Sequence, residues 1–328
     1  GGMMGWVPVP MVVSSDEDAG ILTEKIESMK NHPALAIWEA PDEAVWNVFR
    51  LEDGIVTTRP WSKPPETRGI LERRMDDLVG GLRRGTEIIR ELDPGRRTWL
   101  NEACKTNQDA LARCISFFDV VSFDFYPIPQ GHPRYDWDGY AIHHIGKYTE
   151  KFARTVGSRE VWVVQQAFSW PSIMPETGRP YRYPSRKEFR FMAWDAIVHG
   201  ATGLLWFGSA YEDRPAPFLD DLMAVVSELN CLQPFLLSGN APGLDIRPDP
   251  DQHPAVAGVA GIVRRVGDKS LLVIVNDDSY DHDVIISGIE FDPEEIESLV
   301  PDREFEFTEA PGGWITNLGG WEAGVYLV

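Results

Sequence analysis

The sequence predicts an α/β protein: a parallel sheet covered by helices, followed by an antiparallel β-sandwich. Three observations carry this. Apolar strand-like runs alternate with amphipathic helical stretches as far as about residue 240, and such alternation implies parallel strands joined by right-handed crossovers. The run Ala34-Leu35-Ala36-Ile37-Trp38 is apolar throughout, as in a strand covered on both faces, and it leads into the adjacent carboxylates Asp42 and Glu43. After Gly239 the pattern changes to short β-branched stretches separated by Gly, Asp and Pro, the mark of antiparallel strands.

Taken in order, residues 4–13 read as the first strand and residues 16–31 as the amphipathic helix that follows it. Residues 34–40 are the second strand, and a long loop rich in Pro and Trp spans 45–65. Residues 68–92 read as a helix stopped by Asp93-Pro94-Gly95. A strand at 98–101, a short helix around 108–117 and a strand at 120–126 come next. Helix 140–156, strand 161–168, helix 187–199, strand 203–208 and helix 217–232 keep the rhythm, for six strand-and-helix units in all. Residues 256–266, 270–276, 283–289, 304–307, 313–315 and 324–328 alternate or run β-branched and predict the sandwich. The segment 240–254, dense in Pro and Asp, is the boundary. Within the long helix, Gly80-Gly81 reads as an irregularity, and Arg73-Arg74 and Arg83-Arg84 as a solvated face.

With 43% hydrophobic residues the chain can build a core. A net charge of -20 excludes nucleic acid, anionic membrane surfaces and polyanionic substrates, which its field would repel, and favours a neutral or cationic ligand. Twelve Trp exceed what a core needs and point to ring-stacking surfaces. Cys104, Cys114 and Cys231 lack metal-type spacing and leave an odd one over, so no disulfide framework is expected. No run is long and apolar enough for a transmembrane helix. The opening Gly1-Gly2-Met3-Met4-Gly5-Trp6 reads as the middle of a domain and not as a signal peptide. The expectation is a soluble protein, secreted or periplasmic if an upstream leader has been removed and cytoplasmic otherwise.

The run from His32 to Ala44 resembles, without a gap, the clan A (β/α)8-barrel glycoside hydrolases, in which a His-Pro-Ala opening leads through the fourth strand to an Asn-Glu pair. Asp124-Phe125-Tyr126-Pro127 is similar to the sixth strand of that pattern, Val161-Trp162-Val163-Val164-Gln165 to the seventh and Gly203-Leu204-Leu205-Trp206 to the eighth. The ordered set covers residues 4–240. The resemblance implies a (β/α)8 TIM-barrel catalytic domain over 1–240 and a β-sandwich accessory domain over 241–328. It also implies a glycosidase cleaving O-glycosidic bonds of a neutral oligo- or polysaccharide, with Glu43 as general acid/base and Asp42 in place of the Asn. Two departures stand out. Only one strand precedes His32, so the barrel is expected to be completed by a missing N-terminal segment or by a second copy of the chain, or else to be an open variant. The nucleophile position at the end of the seventh strand falls on Gln165, with Gln166 next, and an amide cannot form a glycosyl ester.

The chemistry needs one carboxyl held protonated and a second group at the anomeric carbon. Asp42 beside Glu43, with partial burial, raises the Glu43 pKa as a proton donor requires; the structural alternative is that both residues cap the next helix. Glu102 and Asp124, at strand ends on the same barrel mouth, are candidates for a base activating water. The third candidate is the substrate, since some hexosaminidases use an Asp-Glu pair at this strand, the Asp orienting a 2-acetamido nucleophile. Substrate contacts are expected from Trp38, Trp46, Tyr126, Gln165, Gln166, Trp170 and Trp206, and further aromatic candidates are Trp61, Tyr135, Trp137, Tyr140, Tyr181, Tyr183 and Tyr211. His132 and His143-His144 lack metal-site spacing, so neither metal nor cofactor is expected. The competing readings are a glycan-binding relative without catalysis and a domain that merely reuses the barrel.

Overall fold

The computed structural model describes residues 3–129, 141–178, 180–208, 216–249, 258–292, 295–299 and 306–328. Tyr135, Trp137, Tyr140, Tyr211 and His132 lie outside them. The parallel part runs β1 (Gly5–Pro8), α1 (Asp16–Met29), β2 (Leu35–Glu39), α2 (Ala44–Val48), α3 (Pro65–Leu92), β3 (Arg97–Ala103), α4 (Gln108–Ala112), β4 (Val120–Phe125), α5 (His144–Val156), β5 (Glu160–Gln166), α6 (Trp170–Ile173), α7 (Arg186–Val198), β6 (Gly203–Phe207), α8 (Ala216–Cys231) and α9 (Gln233–Leu236). The six strands form one sheet in sequence order, β1 to β6, as right-handed βα units dictate. Among the described residues, β1 and β6 each pair on one side only.

The chain folds into two compact units, Gly1–Phe125 with Tyr148–Val164 and Ala201–Leu205, and Tyr126–Lys147 with Gln165–Gly200 and Trp206–Val328. The first unit holds the strands of the barrel-type sheet. Alternate strands supply one layer of its interior, with Trp6 from β1, Trp99 from β3 and Trp162 from β5, ring centroids 5.6 and 5.7 Å apart. Layers drawn from every second strand are how side chains fill a barrel of this type. Trp6, on the outer strand, remains 50% exposed. The first strand is shorter than its apolar run because Pro8 and Pro10 have no N–H for a ladder.

Outside the sheet, α1 opens on a capping box between Ser15 and Asp18. Two glycines of α3 are contact points: a Cβ at Gly81 would press on Val12, and one at Gly85 would collide with the Met11 carbonyl oxygen. Gly80 faces open space.

The second unit contains the β-sandwich, two four-stranded antiparallel sheets. Its strands are β7 (Asp245–Pro248), β8 (Val259–Val266), β9 (Lys269–Asn276), β10 (His282–Ser287), β11 (Glu297–Ser298), β12 (Thr308–Ala310), β13 (Gly313–Leu318) and β14 (Glu322–Leu327). They are ordered β12-β13-β10-β7 and β11-β14-β9-β8 around Val263, Leu272, Ile274, Val284, Ile286, Leu318 and Tyr326. Helix α7 is buried along nearly its whole length, Phe189 to Ile197. Its one cation there, Arg190, pairs with Glu228 at 2.8 Å and donates to the Ala323 carbonyl, and Trp194 Nε1 donates to Glu228 at 2.8 Å. No helix among the described residues is long and apolar enough to cross a membrane.

The helix contact yields a paired test by urea denaturation. Gly85→Ala should cost at least ~2 kcal/mol because the backbone it meets cannot yield. Gly80→Ala should add up to ~1 kcal/mol, the ordinary helix preference of Ala over Gly.

Candidate active site

The carboxyl end of β2 carries three acidic residues within five positions, Glu39, Asp42 and Glu43. Glu43 occupies the N-cap of α2, yet its side chain makes no capping bond. The helix is capped instead by Glu102 from β3, whose carboxylate accepts the backbone N–H groups of Val45 at 2.7 Å and Trp46 at 2.9 Å and the Thr106 hydroxyl at 3.0 Å. The Glu43 side chain is thereby left uncommitted. Its N–H donates to the Asn101 carbonyl at 3.0 Å, and its backbone is left-handed at φ 51°, ψ 37°. A non-glycine residue held there stores ~1–3 kcal/mol, a form of strain that clusters at functional sites.

Asp42 is held from below. The Trp99 indole donates to Ser122 Oγ at 2.7 Å, that hydroxyl donates to Asn101 Oδ1 at 2.6 Å, and Asn101 Nδ2 donates to Asp42 Oδ1 at 2.9 Å. The relay crosses from β4 to β3 to the loop after β2, and no residue in it except Asp42 was expected from the sequence.

Burial raises the Glu43 carboxyl, the Asp42 charge raises it further and Arg50 opposes both. Glu39, which the sequence reading passed over, is pushed up to about 7 by burial and by Asp42, against a hydrogen bond from Trp6. Glu102 is pushed up to about 8 by complete burial, with the Glu43 charge adding and its three hydrogen bonds opposing.

Several expectations are corrected by strand parity. Successive strand residues point to opposite faces. Asn101 and Trp99 share one face of β3, so Glu102 points the other way, to α2, and is a buried cap and not a base at the mouth. Trp38 is fully buried and donates to Asp93, the cap at the end of α3, at 3.0 Å, so it is a packing residue and not a sugar platform. Asp124 is half-buried on the face of β4 that also carries Ser122, and Trp46 is half-buried in the first turn of α2.

In the second unit, both glutamines are buried and engaged. Gln165 donates to the Met192 carbonyl of α7 at 2.9 Å. Gln166 accepts the Ile128 N–H at 2.8 Å and donates to the carbonyls of Ile128 at 2.7 Å and Phe168 at 3.0 Å. Gln166 is committed through both functions of its amide, whereas the Gln165 carbonyl oxygen is buried with no hydrogen-bond donor among the described residues. Tyr126, Phe168, Trp170 and Phe207 form an aromatic group, Tyr126 stacked on Phe207 at 5.9 Å and edge-on to Phe168 at 5.0 Å. Phe207, 46% exposed, was not anticipated. Trp206, its neighbour, is partly buried, with Nε1 inside.

No family model matches the sequence, and no curated protein matches it. Solved structures do. A β-galactosidase from Bacillus circulans sp. alkalophilus aligns over 95% of this chain and 82% of its own with TM-score 0.56 and 10% identity. An α-amylase from Geobacillus thermoleovorans, complexed with acarbose, aligns over 95% of this chain with TM-score 0.51 and 8% identity. A β-galactosidase from the haloarchaeon Halorubrum lacusprofundi aligns over 70% with TM-score 0.50 and 18% identity. The chain spans 64% of the amylase and 42% of the haloarchaeal enzyme. The likeness is one of fold: a barrel-type parallel sheet with a β-sandwich, of the architecture that glycoside hydrolases use.

Two stability measurements follow. Glu102→Ala should lower stability by ~2–4 kcal/mol by stripping buried N–H groups of their acceptor. Because the folded pKa of Glu102, about 8, lies above its unfolded value of ~4.3, its contribution is full below ~pH 4.3 and is lost as pH rises to about 8; the variant should lack that slope. Glu43→Gly should raise the denaturation midpoint by the equivalent of ~1 kcal/mol, since glycine takes the left-handed conformation without strain. A residue serving as a helix cap would lower it.

Proposed function

We propose that the chain carries the carboxylate site of a glycoside hydrolase, with Glu43 protonating the leaving oxygen. The observation that supports this most is Glu43 itself: strained, half-buried, uncapped and raised beside Asp42 at the carboxyl end of a parallel strand. Barrel enzymes place their chemistry at that end, and a raised carboxyl next to a second carboxylate is the usual division between acid and base. The substrate is a neutral oligo- or polysaccharide, in keeping with the net charge of -20. Aromatic faces such as the Tyr126–Phe207 stack suit sugar rings.

The test is a panel of aryl glycosides. Glu43→Gln should reduce kcat by ~10²–10⁴ with the circular dichroism spectrum unchanged. Glu43 is active when protonated, so kcat/KM should fall as pH rises through its raised pKa. Asp42→Asn removes the neighbouring charge, and its residual activity should lose that alkaline limb at lower pH. Oligosaccharide binding by calorimetry with no turnover on any member of the panel would overturn the catalytic reading.

A second reading within the class is favoured by Asp42 being fixed by Asn101 and by the engagement of both β5 glutamines elsewhere. Here Asp42 orients a 2-acetamido group of the substrate, which attacks the anomeric carbon in place of a protein nucleophile. Comparing 2-acetamido with 2-hydroxy aryl glycosides decides it. Turnover confined to the acetamido series supports substrate assistance, and equal turnover refutes it.

A further inference from the structure

The second unit carries a buried cluster that the glycosidase reading does not use. Asp195 and His199 stand one turn apart on and just after α7, on one face of the helix, and Asp277 follows the last residue of β9. One ligand atom from each lies within 4.8 Å of the other two. Asp195 is fully buried and Asp277 is 4% exposed.

The hydrogen-bonding inventory of this cluster is short of donors. His199 Nδ1 is hydrogen-bonded to the Asp195 backbone carbonyl oxygen at 2.9 Å, while Asp195 Oδ1, 2.7 Å from the same nitrogen, is buried with no hydrogen-bond partner among the described residues. Asp195 Oδ2 accepts the Gly146 N–H at 3.0 Å. A side chain at Gly146 would collide with Asp195 and His199, so the α5 backbone closes the cluster on that side. His199 Nε2, the remaining ring nitrogen, lies 4.0 Å from Asp277 Oδ2. Asp277 Oδ1 is buried with no hydrogen-bond donor among the described residues. Asp277 has a side-chain hydrogen-bonding contact with Asp195, and Lys147 acts on it only through space.

Two carboxylates and an imidazole, removed from water and facing one another, call for positive charge among them, which a proton on the imidazole or a metal ion in its place can supply. His199 Nε2 and Asp277 Oδ2 lie 4.0 Å apart, and they would close to about 3.4 Å, the ligand–ligand separation of a tetrahedral site, around a bound ion. The hydrogen bond between His199 Nδ1 and the Asp195 backbone carbonyl is the kind of second interaction that orients a metal-bound imidazole and leaves Nε2 for the ion. Mixed nitrogen and oxygen ligands suit zinc and its first-row neighbours over calcium or magnesium.

We propose that Asp195, His199 and Asp277 bind one divalent first-row transition-metal ion, zinc by ligand type, which ties the end of α7 to the end of β9. The role is structural, and the proposal stands apart from the glycosidase reading. The test uses the full chain, stripped with a chelator and dialysed. Calorimetry with zinc should show one site per chain, cobalt(II) should give the visible absorption of a low-symmetry nitrogen and oxygen site, and Tm should rise with zinc concentration. Asp277→Asn and His199→Gln should each weaken binding at least ~10-fold. No stoichiometric binding by the wild-type chain overturns the proposal, with a proton shared between Asp195 and Asp277 as the replacement, and Asp277→Asn would then raise Tm without metal. Binding undiminished in the two variants also overturns it, because it places the ion elsewhere.

Discussion

The Glu102 carboxylate is the interaction on which the candidate site depends. It sits on the outer face of β3, fully buried, and satisfies the first free N–H groups of α2. With those groups taken, the turn between β2 and α2 closes over Glu43, whose N–H is fixed to the Asn101 carbonyl on the same strand. The left-handed backbone at Glu43 costs ~1–3 kcal/mol. With its pKa pushed up to about 8 the Glu102 carboxyl is a neutral acceptor at neutral pH, and such hydrogen bonds contribute ~0.5–1.5 kcal/mol each. Three of them on Glu102 are enough to hold the strained turn, so Glu102 decides where Glu43, the acid of the proposed reading, points.

The parity of β3 then organises the rest. Asn101 faces the opposite way from Glu102 and passes the relay from Trp99 and Ser122 to Asp42. One strand therefore positions both members of the adjacent acidic pair, Glu43 through the Asn101 backbone and Glu102, and Asp42 through the Asn101 side chain. Asp42 is exposed and anchored, while Glu43 and Glu39 are partly buried within reach of its charge. Burial and one fixed negative charge both favour the protonated form of its neighbours, which makes the cluster a proton reservoir at the rim of the sheet.

Much of this architecture was legible in the sequence. The βα alternation, the Asp42-Glu43 pair closing an apolar strand and the change to β-branched stretches after Gly239 all correspond to structure. Strand parity was not legible, and the reason is physical. Strands of a covered parallel sheet are apolar on both faces, so the period-2 signal that would separate inside from outside is erased. The same ambiguity misplaced Trp38, Glu102 and Gln165, and it hid Glu39, Asn101 and Phe207. A usable clue was the charged residue ending the β2 run: Glu39 closes that strand on the face opposite Trp38. The glycines of α3 read as an irregularity because the chain they touch, Met11 to Val13, is remote in sequence. Asp195 and His199 carried a legible i,i+4 spacing, but their partner Asp277 lies on a different element and no local pattern announces it.

The glutamines at the end of β5 bear on which chemistry the proposed site could run. Gln166 uses both functions of its amide at once, accepting from the Ile128 N–H and donating to two carbonyls. A carboxylate there would keep the first bond, lose the others and set its charge against two carbonyl oxygens. Gln165 is turned to α7 by strand parity and donates to Met192. The fold thus uses these positions to hold the chain after β4 and to seat a buried helix. On the proposed reading, the group that meets the anomeric carbon must therefore come from the acidic residues around β2, from Asp124 on β4, or from the sugar itself. Asp42, anchored through Asn101 and adjacent to the proposed acid, is the residue best placed either to activate water or to steer a substrate amide.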